Sequence, residues 1–139
     1  MTDPPLVAKK LTLVETCLSD LRRLGHPAAI DTDLRERRFV ERTLQLAIQA
    51  ALDVASHIVS DRRLGEPRTN RELFDLLHRD GWIDERLTAN LRNMAGFRDI
   101  LVHGYDDVDI RIVRDVLDSH LDDLVAFVAA VRRRMPAGA

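Results

Sequence analysis

The stretch FVERTLQLAIQAALDVASHIVSD, residues 39–61, decides the fold. Its apolar residues recur at the i, i+4, i+7 and i+8 spacing that places them on one face of an α-helix. They are Val40, Leu44, Ala47, Ile48, Ala51, Val54, Ala55, Ile58 and Val59. The small alanines on this face allow another helix to approach closely. The pattern therefore predicts a long central helix, capped by Asp31 or Asp33 and ending near Asp61.

Shorter helices are predicted on both sides of the central one. Before it, residues 6–24 follow a helical pattern that stops at residues 25–27, where Gly and Pro are ordinary helix-ending residues. After it, Thr69 or Asn70 stands where it can cap a short amphipathic helix that ends at Gly81.

Two more helices are predicted in the C-terminal part of the chain. Asp84 can cap a helix over residues 85–103, with Gly104 as its stop. A single final helix is predicted to follow the acidic turn at residues 106–109 and to close at the basic residues 132–134. The chain is thus expected to be all-α, a bundle of four to five helices.

Size and composition set the class of protein. The chain has 139 residues, 45% hydrophobic and 32% charged, which suits one domain over residues 1–139 with a core over about 6–131 and a frayed tail at 136–139. The net charge of -2 argues against non-specific nucleic-acid binding, while leaving room for a small basic site. With no signal-peptide pattern and no apolar run near the roughly 20 residues of a membrane helix, a cytoplasmic location and no membrane contact are expected.

The stretch RDILVHGY, residues 98–105, carries the chemical signal. Arg98 falls in the middle of the apolar stripe of its predicted helix, so its guanidinium must be paired or must face a cleft. The stripe consists of Leu87, Leu91, Met94, Leu101 and Val102. His103 lies about 140° round the helix from Arg98, and its i, i+4 relation to Asp99 allows a hydrogen bond. Spacing alone does not require a catalytic site. Arg98 can instead form an ion pair at the edge of the core, and Asp99 and His103 can form a solvated surface pair.

The whole pattern resembles the HEPN superfamily and, within it, HepT-like proteins. Their signature is an Arg, a polar residue, three more residues, then His, any residue and Tyr, near the end of the helix before the last long one. Arg98, Asp99, His103 and Tyr105 match this order and spacing. The stretches at residues 39–58 and 93–97 are also similar to the family, so the resemblance covers about residues 6–131. The chain departs from HepT-like proteins at Asp99, where they usually carry Asn.

The resemblance implies a homodimeric endoribonuclease that needs no metal and no cofactor. The RNA 2′-OH attacks its own neighbouring phosphorus and leaves a 2′,3′-cyclic phosphate and a 5′-OH. His103 would exchange the proton, Arg98 would stabilise the developing negative charge, and Asp99 would orient His103. Because one motif supplies one His and one Arg, two motifs are expected to meet at a two-fold dimer cleft. The sequence gives no sign of a metal site, because the other histidines are scattered and no two of them have the spacing of metal ligands.

The resemblance also implies a protein partner. In this reading, a minimal nucleotidyltransferase (MNT) antitoxin attaches AMP to Tyr105. Bulky anionic phosphates at the cleft would repel RNA and block the site. From the residues alone, Tyr105 is equally a packing aromatic at a helix end.

Two alternatives to an RNA-cleaving toxin stay open. One is a HEPN-fold dimer that binds RNA, nucleotide or a nucleotidyltransferase without cutting, which Asp99 and the net charge of -2 keep in view. The other is a plain helical interaction protein in which Arg98 forms only an interface salt bridge.

Overall fold

The computed structural model describes residues 4–104 and 108–135. Within these ranges the chain is helical and contains no strand. The elements are α1 (Pro4–Leu24), a short 3-10 helix (Pro27–Ala29), α2 (Leu34–Asp61), α3 (Asn70–Arg79), α4 (Glu85–His103), α5 (Ile110–Ser119) and α6 (Leu121–Arg134). The all-α prediction is confirmed.

Helix α2 is the centre of the bundle, as its sequence pattern predicted. Helices α1, α3, α4 and α6 all pack against it. Its small residues Ala47, Ala51 and Ala55 are completely buried at 0% exposure, which lets the surrounding helices approach closely. Apolar burial along the whole length of α2 is the main source of stability of such a bundle.

The predicted helix starts are made by side-chain caps. Of the two candidates before α2, Asp33 is the cap and accepts hydrogen bonds from the backbone N–H groups of Arg35 and Glu36. Before α3, Thr69 rather than Asn70 is the cap. Each cap satisfies backbone N–H groups that the first helical turn leaves without an intrahelical partner.

The single final helix of the sequence prediction is wrong, because the chain breaks at His120 into α5 and α6. The imidazole of His120 lies between two carboxylates, with Nδ1 at 2.9 Å from Asp123 and Nε2 at 3.3 Å from Asp115. Asp122 and Asp123 occupy the first turn of α6, where negative charge suits a helix N-terminus. The apolar positions stay in phase across the break, so helical periodicity does not reveal it.

Trp82 fixes the start of α4 against the end of α6. Its side chain is buried, its Nε1 donates to Asp80 at 2.9 Å, and the guanidinium of Arg134 lies 4.0 Å from the ring centroid. Burial alone would raise the pKa of Asp80, but hydrogen bonds from Arg62 and Trp82 and the charge of Arg134 outweigh it and hold that pKa below its ordinary value. The helix that carries residues 98–103 is therefore anchored at its N-terminal end.

None of the helices in the described ranges combines the length and the apolar character that crossing a bilayer requires.

Candidate active site at the end of helix α4

Local interactions place the motif at the C-terminal end of α4. The carboxylate of Asp84 accepts from the N–H of Leu87 at 2.8 Å and begins the helix. At the other end, the N–H of Gly104 donates to the carbonyl of Ile100 at 2.6 Å. Arg98 and Asp99 therefore lie in the last two turns of α4, and His103 is its last residue.

Arg98 is partly buried and incompletely paired. Its side chain is 22% exposed, and its Nη1 donates to Asp99 Oδ1 at 3.1 Å. Its Nε is buried and has no hydrogen-bond partner in the part of the chain that the structure describes. Because buried N–H donors nearly always have acceptors, a buried guanidinium nitrogen without one indicates a position that a ligand or a second chain completes.

The structure pairs Asp99 with Arg98 and not with His103. The sequence allowed an i, i+4 hydrogen bond between Asp99 and His103, but no such bond occurs among the described residues. The reason is competition, because the adjacent guanidinium offers a full positive charge to the same carboxylate. His103 itself is exposed at the helix end.

None of the last six residues of α4, 98–103, is fully buried by the part of the chain that the structure describes. The buried residues of this helix all precede Arg98, namely Thr88, Leu91, Met94, Ala95, Gly96 and Phe97. Ile100 is 43% exposed, and Leu101 and Val102 are only partly buried. An apolar helix end with an arginine and a histidine beside it has the composition of an interface core.

A long-range contact holds the chain just after α4. The Nη2 of Arg37 donates to the carbonyl of Val108 at 2.6 Å, and Glu41 lies 3.5 Å from the Nε of the same arginine. Val108 is buried and packs closely on Gly104, where a Cβ atom would lie 3.3 Å from a Val108 methyl group. The end of α4 is therefore tied to the start of α2.

Arg37 was not identified from the sequence. In the sequence it is one of several arginines at residues 35–42, and nothing there distinguishes it from its neighbours. Its partner lies 71 residues away, so only the packing of α2 against the segment after α4 brings the two together.

Tyr105 and the other two residues of the segment 105–107 lie outside the described residues. In residues 4–104 and 108–135, no group of three or more His, Cys, Asp or Glu side chains is arranged to hold a metal ion.

The fold and this site together define an all-α protein that presents an arginine, a carboxylate and a histidine at the open end of one helix. A family model described as ribonuclease HepT-like matches residues 14–131, which is most of the chain. The chain therefore belongs to the ribonuclease HepT-like family, and the resemblance found in the sequence is confirmed.

Individual relatives agree with this membership. The chain is 29% identical over 128 residues to the mRNA nuclease HepT of Shewanella oneidensis, covering 91% of this chain and 96% of that protein. It is 31% identical over 109 residues to the tRNA nuclease HepT of Aphanizomenon flos-aquae, covering 77% and 74%. Among solved structures it is similar to a tri-AMPylated Shewanella oneidensis HEPN toxin in complex with an MNT antitoxin. That match has a TM-score of 0.86 and 29% identity, and it covers 96% of this chain and 99% of the toxin.

Proposed function

We propose that this protein is a metal-independent endoribonuclease toxin that cuts RNA at a cleft between two copies of the chain. The observation that carries the proposal is the state of Arg98. Its guanidinium is partly buried, and among the described residues it is bound only by its neighbour Asp99 and keeps a buried Nε without an acceptor. An arginine held in this way is ready to receive a phosphate. The relatives named as mRNA and tRNA nucleases support RNA as the substrate.

The chemistry follows from the two kinds of side chain at the end of α4. The 2′-oxygen of a ribose attacks the adjacent phosphorus while the imidazole of one His103 removes its proton. The bond from phosphorus to the 5′-oxygen breaks, and a second imidazole gives that oxygen a proton. The products are a 2′,3′-cyclic phosphate and a 5′-OH. Arg98 stabilises the negative charge that develops on the phosphoryl oxygens, so no metal ion is required for charge neutralisation.

A second copy of the chain supplies the second imidazole. The partly exposed apolar end of α4, with Ile100 at its centre, provides the surface on which two copies meet. A two-fold axis at this end places both copies of Arg98 and His103 around one cleft. The same contact removes the end of α4 from water.

Asp99 acts on Arg98 in this proposal. Its carboxylate accepts the 3.1 Å hydrogen bond that orients the guanidinium. Its negative charge also offsets part of the charge that Arg98 offers to a phosphate. Asp99 therefore holds Arg98 in position but weakens the electrostatic stabilisation that Arg98 gives to the phosphate.

Control of the toxin is assigned to an MNT antitoxin that attaches AMP to Tyr105. The similar HEPN toxin that is tri-AMPylated and bound to an MNT antitoxin supports this part of the proposal. Tyr105 lies two residues after His103 in the sequence. Added phosphates there place negative charge beside the histidine and repel the RNA backbone.

The test is an RNase assay of the purified, unmodified protein with total RNA and tRNA in the presence of EDTA. Arg98→Ala and His103→Ala are each expected to lower the rate by at least about 100-fold. His26→Ala, which removes an exposed histidine on the loop after α1, is the matched control and should keep full activity. Mass spectrometry of the products should show cyclic-phosphate ends. Cleavage that EDTA abolishes, or that both motif variants retain, would contradict the mechanism.

A dimer that binds RNA or nucleotide without cutting is the second candidate function. The direct ion pair between Asp99 and Arg98 favours it, because HepT-like proteins usually carry a neutral Asn at this position. This function predicts RNA binding by the wild-type dimer without any cleavage under the same conditions.

A further inference from the structure

Arg71, at the start of α3, packs on the motif helix at Gly96. If Gly96 carried a Cβ atom, the three atoms nearest to it would all belong to the guanidinium of Arg71. They are Nη2, Cζ at 3.0 Å and Nε at 3.1 Å. The glycine therefore makes room for a guanidinium and not for another backbone. Gly96 itself is buried within α4, whereas Arg71 is exposed.

By local helix preference alone, neither residue favours the helix that it is in. Glycine in a helix interior is less favourable than alanine. A cation in the first turn of a helix is opposed by the positive end of the helix dipole, and Arg71 is in the first turn of α3. A glycine inside one helix and a cation at the start of another are both locally unfavourable, and their direct contact indicates a functional use.

No ion pair offsets the positive charge of Arg71 among the described residues, because two nearby carboxylates pair with other arginines. Asp75, one turn further along α3, forms an ion pair with Arg92. Asp99, one turn after Gly96 on α4, holds Arg98. No carboxylate lies within ion-pair distance of Arg71 in the described ranges 4–104 and 108–135. The guanidinium of Arg71 therefore carries a positive charge that no ion pair offsets among the described residues.

The position of this charge relates it to the proposed active site. Gly96 and His103 are seven residues apart on α4, so they lie on the same side of the helix, about 10 Å apart along its axis. A guanidinium over Gly96 is too far along the helix to touch the phosphate that is cut. It is close enough to meet a neighbouring backbone phosphate of a strand whose cut phosphate lies beside His103.

We infer that Arg71, seated on Gly96, binds a backbone phosphate of the RNA strand next to the phosphate that is cut. The inference rests on the proposed ribonuclease function and adds a substrate-binding residue on α3 to the motif on α4. An arginine on an exposed surface binds a phosphate by charge-assisted hydrogen bonds that depend strongly on salt. Because Arg71 makes no contact with the reacting atoms, its loss weakens RNA binding without removing the catalytic groups.

The test compares Arg71→Ala with Arg79→Ala, which removes the other arginine of α3. Arg79 is also exposed and lies at the opposite end of the helix. Binding of fluorescein-labelled single-stranded RNA is measured by anisotropy over a series of salt concentrations, with His103→Ala present in every protein to prevent cleavage. Arg71→Ala should raise Kd roughly tenfold and reduce the salt dependence, whereas Arg79→Ala should change neither. Arg71→Lys, which keeps the charge but loses the planar donors, should fall between the two.

RNA cleavage is then measured with variants that retain His103. These rates distinguish a failure of the role of Arg71 from a failure of the proposed ribonuclease function. Arg71→Ala should raise KM and leave kcat nearly unchanged, with no fall in thermal stability. A wild-type protein that cuts RNA, with Arg71→Ala equal to Arg79→Ala in both binding and KM, overturns the role of Arg71 alone. A wild-type protein that neither cuts nor binds RNA overturns the proposed function together with the inference.

Discussion

The guanidinium of Arg37 donates a hydrogen bond of 2.6 Å to the main-chain carbonyl of Val108, 71 residues further along the chain. This contact joins the start of α2 to the segment that follows α4. Val108 also packs on Gly104, the residue directly after His103, so we expect the contact to hold the end of the motif helix in place. We therefore expect Arg37 to act as a positioning residue for the proposed site.

The first prediction concerns this contact. Arg37→Ala should lower the free energy of unfolding by about 1–3 kcal/mol, because it removes the hydrogen bond to the buried Val108 and one of the two arginines that pair with the largely buried carboxylate of Glu41. Urea denaturation measures the loss, and the RNase rate should fall with it. Arg38→Ala is the comparison, since Arg38 also lies 3.4 Å from Glu41, whereas the 2.6 Å hydrogen bond to Val108 comes from Arg37. Equal losses for the two substitutions would show that the hydrogen bond to Val108 does not contribute to the free energy of unfolding.

Asp99→Asn is expected to raise the rate of RNA cleavage by a few-fold. The amide oxygen still accepts from Arg98, as the carboxylate does at 3.1 Å, but the negative charge beside the scissile phosphate is gone. Initial rates with a defined RNA at saturating and at low concentration measure the effect. Asp99→Ala, which removes the acceptor as well as the charge, should be slower than Asp99→Asn. A faster alanine variant would mean that orientation of Arg98 by residue 99 is unimportant.

Tyr105→Phe should escape control by the MNT antitoxin. The phenylalanine keeps the ring and lacks the hydroxyl that would carry AMP, so the variant should gain no AMP when incubated with the antitoxin and ATP. Intact-protein mass spectrometry measures the modification, and the same samples are assayed for RNase activity. The unmodified wild type and the variant should cut RNA equally well before incubation. Addition of AMP to the variant would place the acceptor at another residue.

Asp80 should contribute stability that disappears in acid. The Oδ2 atom of its carboxylate accepts hydrogen bonds from both Arg62 and Trp82. Because its pKa is lower in the folded protein than in the unfolded chain, the stabilisation is complete above the unfolded pKa and is lost as the pH falls through the folded one.

Asp80→Ala should therefore cost about 1–3 kcal/mol at pH 7, as expected for hydrogen bonds to a charged group, and much less in acid. Urea denaturation at neutral pH and near pH 3 measures the two values. Asp20→Ala, which removes an exposed ion pair with Arg23, is the control and should cost less than about 1 kcal/mol. A cost of Asp80→Ala that is independent of pH would show that packing around Trp82, and not charge, is responsible.

The starts of the helices could be predicted because a cap acts within a few residues. Asp33, Thr69 and Asp84 all bond to backbone N–H groups two or three residues ahead of them. The single final helix could not be corrected from the sequence, because the apolar positions remain in phase across His120. The pairing of Asp99 was misjudged for a related reason. Both Arg98 and His103 are within local reach of its carboxylate, and spacing does not decide between them.

By itself, the sequence determined the all-α class, the central position of α2, and the placement of Arg98, Asp99 and His103 at one helix end. These properties follow from the period of the helix and from bonds between residues close in the chain. Only the tertiary structure decided that Arg37 holds Val108, that Arg71 rests on Gly96, and that the end of α4 stays partly exposed among the described residues. Such contacts depend on how whole helices pack against one another, and the energy of that packing is spread over many buried side chains whose arrangement no local pattern specifies.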